Sequence, residues 1–238
     1  LVFRWLHIHT PQWSGFTTAL NVLILGVLLA FRNSQAYDRW WEGRRLWGQL
    51  INDSRNLMLK VRAHPRLTRD DQQAVAERVA GFAVALKRHL REASPPTYEP
   101  MRFASELYGQ FLQWRERGQL ADTDLLLFDP HLRALMDVSG ACERIKNSPV
   151  PSSYRALLRH GLVLYLASTP WLITEQLGFW TVPVMSLLGY FLLGIELTAE
   201  DVEDPFGTDG DDLTLTAYCE TIRRATDLTP AEVRPATG

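Results

Sequence analysis

Cysteine is nearly absent from this sequence. Cys142 and Cys219 are its two, far apart and in no CxxC pair. That excludes a disulfide framework and a cysteine-built zinc site, and it fits a reducing compartment. A basic leader with a small-residue cleavage site is also missing, so no secretory signal is read. No run alternates as a half-buried strand must, and nothing repeats, so the fold class is read as all-α. Catalytic signals are equally scarce. There is no nucleophile beside a base, no phosphate-cradling glycine loop and no metal-ligand spacing. His89, His131 and His160 stand singly on helical stretches and read as surface or packing residues, and no enzyme is expected.

Net charge is small, −2, but unevenly spread. Residues 32–160 hold 21 Lys and Arg against 15 Asp and Glu, while the remainder holds 4 against 12, mostly after Glu196. The basic stretch is too dilute for a nucleic-acid footprint, and no nucleic-acid partner is expected.

Long apolar runs occur in two places only, 16–31 and 156–198. The first reads as a helix whose one strongly polar residue is Asn21. Its sixteen residues span ~24 Å at ~1.5 Å each, a little short of a ~30 Å hydrocarbon core. It suits a span lined by other helices, or a buried core helix. Leu23, Val27 and Phe31 share one face of it, either an ordinary core stripe or an apolar constriction facing a bundle axis. Arg32, Arg39, Arg44 and Arg45 follow at once, which puts the end of this span on the cytoplasmic side. The second run reads as a helical hairpin over 155–198, with its turn near 175–179. Arg155 and Arg159 precede it, so both its ends are cytoplasmic.

Five segments result: 1–15 extracytoplasmic or interfacial, 16–31 a transmembrane helix, 32–154 a cytoplasmic helical domain, 155–198 the transmembrane hairpin, and 199–238 an acidic cytoplasmic tail. Trp5 and Trp13 suit a membrane interface, and His7 and His9 read as loop residues. With three spans, residue 1 falls on the outer side, so either a span precedes it or the N-terminus is translocated directly, the first being expected.

Within 32–154 the helical pattern runs on from the first span to His64-Pro65, bending at Gly43 or Gly48. Thr68 and Asp71 form a capping box with Asp at the third position. Val75, Val79, Phe82, Leu86 and Leu90 make an apolar stripe, and Phe103, Leu107, Phe111 and Trp114 another, stopped at Gly118. Asp129-Pro130 reads as an N-cap followed by proline at the first helical position. Glu196, near the end of the last span, reads as a snorkelled or Arg-paired carboxylate, with Arg32 and Arg39 as candidate partners. Glu143 and Arg144 read as inter-helix ion-pair formers.

RNSQAYDRWWEGRRLWG at 32–48 resembles the signature of the bestrophin family of ion channels. CERIKNSPVPSSY at 142–154, EDPFG at 203–207 and Asp211-Asp212-Leu213 resemble further family stretches, in the family's order. The resemblance implies a homopentamer of helical subunits around one axial pore, passing chloride or monovalent cations. It implies a bacterial inner-membrane protein in contact with lipid, multi-pass, with the bulk of the chain cytoplasmic. Leu23, Val27 and Phe31 match the family's apolar neck, and Thr123 its cytosolic aperture. Asp201, Asp204, Asp209 and Asp212 fall near the positions of a calcium clasp in animal members, so Ca²⁺ is the one cofactor to test. A membrane scaffold or sensor that does not conduct is the alternative reading.

Overall fold

Proline and glycine set the element boundaries. The computed structural model describes residues 15–92 and 98–227, with side chains from Val22 onward; Trp5, His7, His9 and Trp13 lie outside the described residues. Helix α1 (Gly15–Ala63) ends one residue before His64-Pro65. It is followed by α2 (Arg69–Arg91), α3 (Glu99–Glu116), α4 (Asp122–Asn147) and α5 (Ser152–Leu177). A 3₁₀ turn (Gly178–Trp180), α6 (Thr181–Glu203) and α7 (Leu215–Thr226) complete the order. Among the described residues there is no strand.

The chain packs as two units. One holds the residues up to Arg39 together with Pro149–Asp204, and the other holds Trp40–Ser148 and the residues from Pro205 on. Helix α1 contributes to both.

In the first unit α5 and α6 form the hairpin. The turn falls at 178–180, and Gly178 adopts φ 52°, a conformation that costs a residue with a Cβ. Leu25 and Leu29 of α1 bury against Leu162 of α5, with Tyr165, Leu166 and Leu192 alongside. The stretch Ser152–Glu203 is long and apolar enough to cross a membrane, and only 11% of its most apolar window is buried, the reverse of a soluble core helix.

The second unit has a conventional core. Trp47, Leu50 and Leu57 of α1 pack with the stripes of α2 and α3, both on the buried faces read from their spacing. Thr68 caps α2: its hydroxyl accepts from Asp71 N–H (3.2 Å), and the Asp71 carboxylate accepts from Thr68 N–H (3.0 Å). Gly118, at φ 72°, ends α3. Both cysteines are buried and free, and burial, with Glu143 and Glu42 close by, pushes the Cys142 thiol up to about 12. Gly43 is used for close approach, since a Cβ there would meet Leu213 Cδ1 at 3.1 Å and Phe206 Cε1 at 3.2 Å. The helix runs through Gly43 and Gly48 without a break in its hydrogen-bonded pattern.

Two readings are corrected. Pro130 is not at the start of its helix but inside α4, which begins at Asp122. The Asp124 carboxylate accepts from Ala121 N–H (2.8 Å) and so caps the helix eight residues earlier than the Asp-Pro pair suggests. Asp129 instead accepts from the Tyr108 hydroxyl at 3.3 Å. The acidic segment after 199 is also more than a solvated tail. Its α7 buries Leu215, Cys219 and Ile222. The Cys219 thiol donates to the Ala83 carbonyl of α2, and Arg62 donates to the Thr226 and Asp227 carbonyls at the end of α7.

Asp71 ties the α2 cap to the core, because its other oxygen accepts from the Trp114 indole N–H at 3.0 Å. Burial alone would raise its pKa, but hydrogen bonds from Thr68, Trp114 and Gln119 hold it below the ordinary 3.8. A depressed carboxylate stabilises the fold above its ordinary pKa and loses that contribution as pH falls through the lowered value. The melting temperature of Asp71→Asn should therefore lie furthest below that of the parent protein at neutral pH, and the gap should close as pH drops beneath 3.8. A gap that stays constant with pH would refute this assignment.

Candidate functional site

An α-helix turns roughly 100° per residue, so residues four apart drift slowly around one face. Leu23, Val27 and Phe31 therefore form a stripe, and Leu25, Leu29, Arg32 and Ala36 form one on the opposite side of α1. Exposure differs between the two stripes, although Val22 and Ile24 are also 49% exposed. Leu23, Val27 and Phe31 are 62%, 44% and 60% exposed, whereas Leu25 and Leu29 are 8% and 5% exposed and Arg32 and Ala36 are wholly buried. The three residues predicted from the spacing thus lie on the side of α1 turned away from its own hairpin. Large apolar side chains held out this way mark a face that meets something else.

The buried side of α1 carries charge. Arg32 Nη2 donates to Glu203 Oε2 at 2.7 Å, and its Nε lies 3.8 Å from Glu196 Oε2. Glu196 Oε1 accepts from Arg159 Nε at 3.2 Å, and Arg159 reaches Glu200 at 2.6 Å. The second oxygen of Glu203 accepts from Val150 N–H at 3.0 Å, and its backbone carbonyl accepts from Arg39 at 3.0 Å. Glu196 is paired, as expected, with Arg32; its hydrogen-bonded partner is Arg159, which the sequence reading missed. Glu203 was missed as well. The signal was present, since Glu196, Glu200 and Glu203 recur at helical spacing on α6 and Arg155 and Arg159 stand at the start of α5.

Thr123 sits in the first turn of α4, exposed, one residue before the capping Asp124. The four loop aspartates are spread out. Asp201 lies in the last turn of α6 and Asp204 caps it, while Asp212 accepts from the backbone N–H of Asp209 at 2.5 Å. Among the described residues no three His, Cys, Asp or Glu side chains gather as a group that could hold a metal ion. Glu143 and Arg144 each pair across helices, with His89 at 2.9 Å and Glu42 at 2.7 Å. His131 pairs with Asp53 at 2.9 Å, and His160 is exposed.

In sequence and in overall fold the chain is similar to known proteins. The voltage-dependent anion channel-forming protein alr2987 of Nostoc is 34% identical over 227 residues, covering 86% of this chain and 74% of its own length. A protein of the same description from Ralstonia nicotianae, RSc3414, is 32% identical over 240 residues, covering 90% and 78%. The crystal structure of a bacterial bestrophin homologue from Klebsiella pneumoniae matches with a TM-score of 0.85 at 29% identity, over 94% of this chain and 89% of that one. The family described as "Bacterial/Fungal Bestrophin protein" matches residues 1–105 and 94–227. With nearly the whole described chain matched in sequence and in fold, this all-α membrane protein belongs to the bestrophin family.

Proposed function

We propose that the protein is an anion channel, formed by five copies around an axis, with Leu23, Val27 and Phe31 of each copy lining an apolar neck. The observation that carries this is the exposure of that stripe on the side of α1 opposite Leu25, Leu29 and Arg32. Cyclic symmetry turns one outward stripe into rings, because each subunit contributes the same residue. Rings of apolar side chains hold little water and gate by dewetting. Thr123 lines the cytosolic exit in this reading. The helical unit lies in the cytoplasm and the hairpin crosses the inner membrane, with Arg32, Arg39, Arg44 and Arg45 on the cytoplasmic side. Asp212 serves the turn at Asp209, a scaffolding role within the acidic loop.

The choice of anion over cation is supported by the names of the relatives and by the basic excess of residues 32–160. The test is the reversal potential of the purified protein in a planar bilayer under an asymmetric NaCl gradient. Reversal near the Cl⁻ equilibrium potential is expected. Reversal near the Na⁺ potential would replace the anion channel with a monovalent cation channel. No current from a correctly assembled oligomer would leave the scaffold or sensor reading in its place.

A further inference from the structure

We infer that Arg32 is a positioning residue for the neck: through Glu203 it sets the rotation and height of α1, and hence where the Phe31 ring stands. The inference rests on the neck reading above.

Phe31 and Arg32 are neighbours about 100° apart around one helix, the first 60% exposed and the second wholly buried. An arginine just past an apolar run can ordinarily reach outward to water or headgroups along its flexible stem. Here it turns inward. Its guanidinium ends on Glu203, whose other carboxylate oxygen holds Val150 N–H just before α5 begins. One carboxylate at the end of α6 therefore joins α1, the start of α5 and α6. The apolar contact beside it is made by Leu25, Leu29 and Leu162, with Tyr165, Leu166 and Leu192 packed against them. The charged seam is the more directional of the two tethers.

The seam is also a buried ion pair: Arg32 Nε faces Glu196 Oε2 at 3.8 Å, and both side chains are almost fully buried. Burying such charges is costly, and apolar residues of similar volume would often serve stability as well. The best-attested return for a buried ion pair is a fixed register between elements. In a neck made of side-chain rings, register is the quantity that decides how wide the constriction is.

The test is a double-mutant cycle on conductance, using the full chain reconstituted in planar bilayers. Glu203→Gln keeps the shape of the side chain and an oxygen for Val150 N–H but removes the charge that holds Arg32. It should raise conductance about fivefold in the native neck and leave it nearly unchanged in a background with Leu23, Val27 and Phe31 all replaced by alanine, because there is then no ring to displace. A Glu203→Gln effect of equal size in both backgrounds, or none in the native neck, overturns the inference while leaving the neck intact. Absence of any effect of that triple replacement overturns the neck reading and the inference with it. If Glu203→Gln does not yield a folded oligomer, Arg32→Lys takes its place. It keeps the buried charge but not the fork geometry, so the same cycle should show a smaller effect confined to the native neck.

Discussion

Replacing Leu23, Val27 and Phe31 together by alanine should raise the single-channel conductance at least about tenfold, the change that ~1.4 kcal/mol off a barrier produces. An ion passing an apolar ring exchanges hydration for very little, so the barrier is a desolvation barrier set by ring width and polarity. In the proposed neck, three large side chains per subunit, repeated by symmetry, would make that constriction long as well as narrow. Alanine keeps the helix, since it is the best helix former, and removes most of the obstructing volume. The three residues are 62%, 44% and 60% exposed in the protomer, so their truncation opens no cavity inside it and folding should be little affected. Conductance and oligomer size would be measured on the same preparation. Unchanged conductance in a properly sized oligomer would remove these residues from the ion path. A channel that merely disassembles would instead place the stripe at an interface between subunits.

Trp114→Ala should be the most damaging single change in the helical unit, at about 3–5 kcal/mol. The side chain is wholly buried and stacks edge-on against Phe111, with ring centroids 5.0 Å apart. Its indole N–H is the donor that joins α3 to Asp71 at the start of α2. Truncation therefore empties a large volume and removes a partner of the capping carboxylate at once. Trp114→Phe separates the two effects: it keeps most of the packing and should cost only the hydrogen bond, about 1 kcal/mol. Thermal unfolding in detergent, followed by near-UV circular dichroism, would rank the variants. Equal losses for Trp114→Phe and Trp114→Ala would mean that the bond to Asp71, and not the packing, dominates.

What could be read from the sequence depended on how local each determinant was. The Thr68 cap, the stop at Gly118 and the end of α1 before Pro65 each rest on a few adjacent residues, and each is found where its chemistry puts it. The Leu23, Val27 and Phe31 stripe needs only helical periodicity. Asp129-Pro130 misled because the same pair can open a helix or sit within one, and the competing cap at Asp124 lies just upstream. Helix α7 was hidden by averaging, since the acidity of 199–212 masked the Leu215, Cys219 and Ile222 face behind it. The Arg32–Glu203 pair joins positions 171 residues apart, and no local pattern announces which of several arginines meets which of several glutamates. That pair was out of reach for the same reason that it is informative.

The helical unit is discontinuous along the chain, and this has a consequence for how the protein is made. Its α2 surface around Ala83 is complete early in synthesis, yet the partner that covers it, α7, is translated only after both arms of the hairpin. Cys219 meets Ala83 across 136 residues. During that interval an apolar slot on α2 stands open, the kind of transient exposure that invites aggregation. Closure by α7, with Arg62 holding its last turn, then becomes a late event in biogenesis. Ribosomes stalled before residue 215 should carry a helical unit that is more protease-sensitive than the finished one, and release of the remaining segment should seal it.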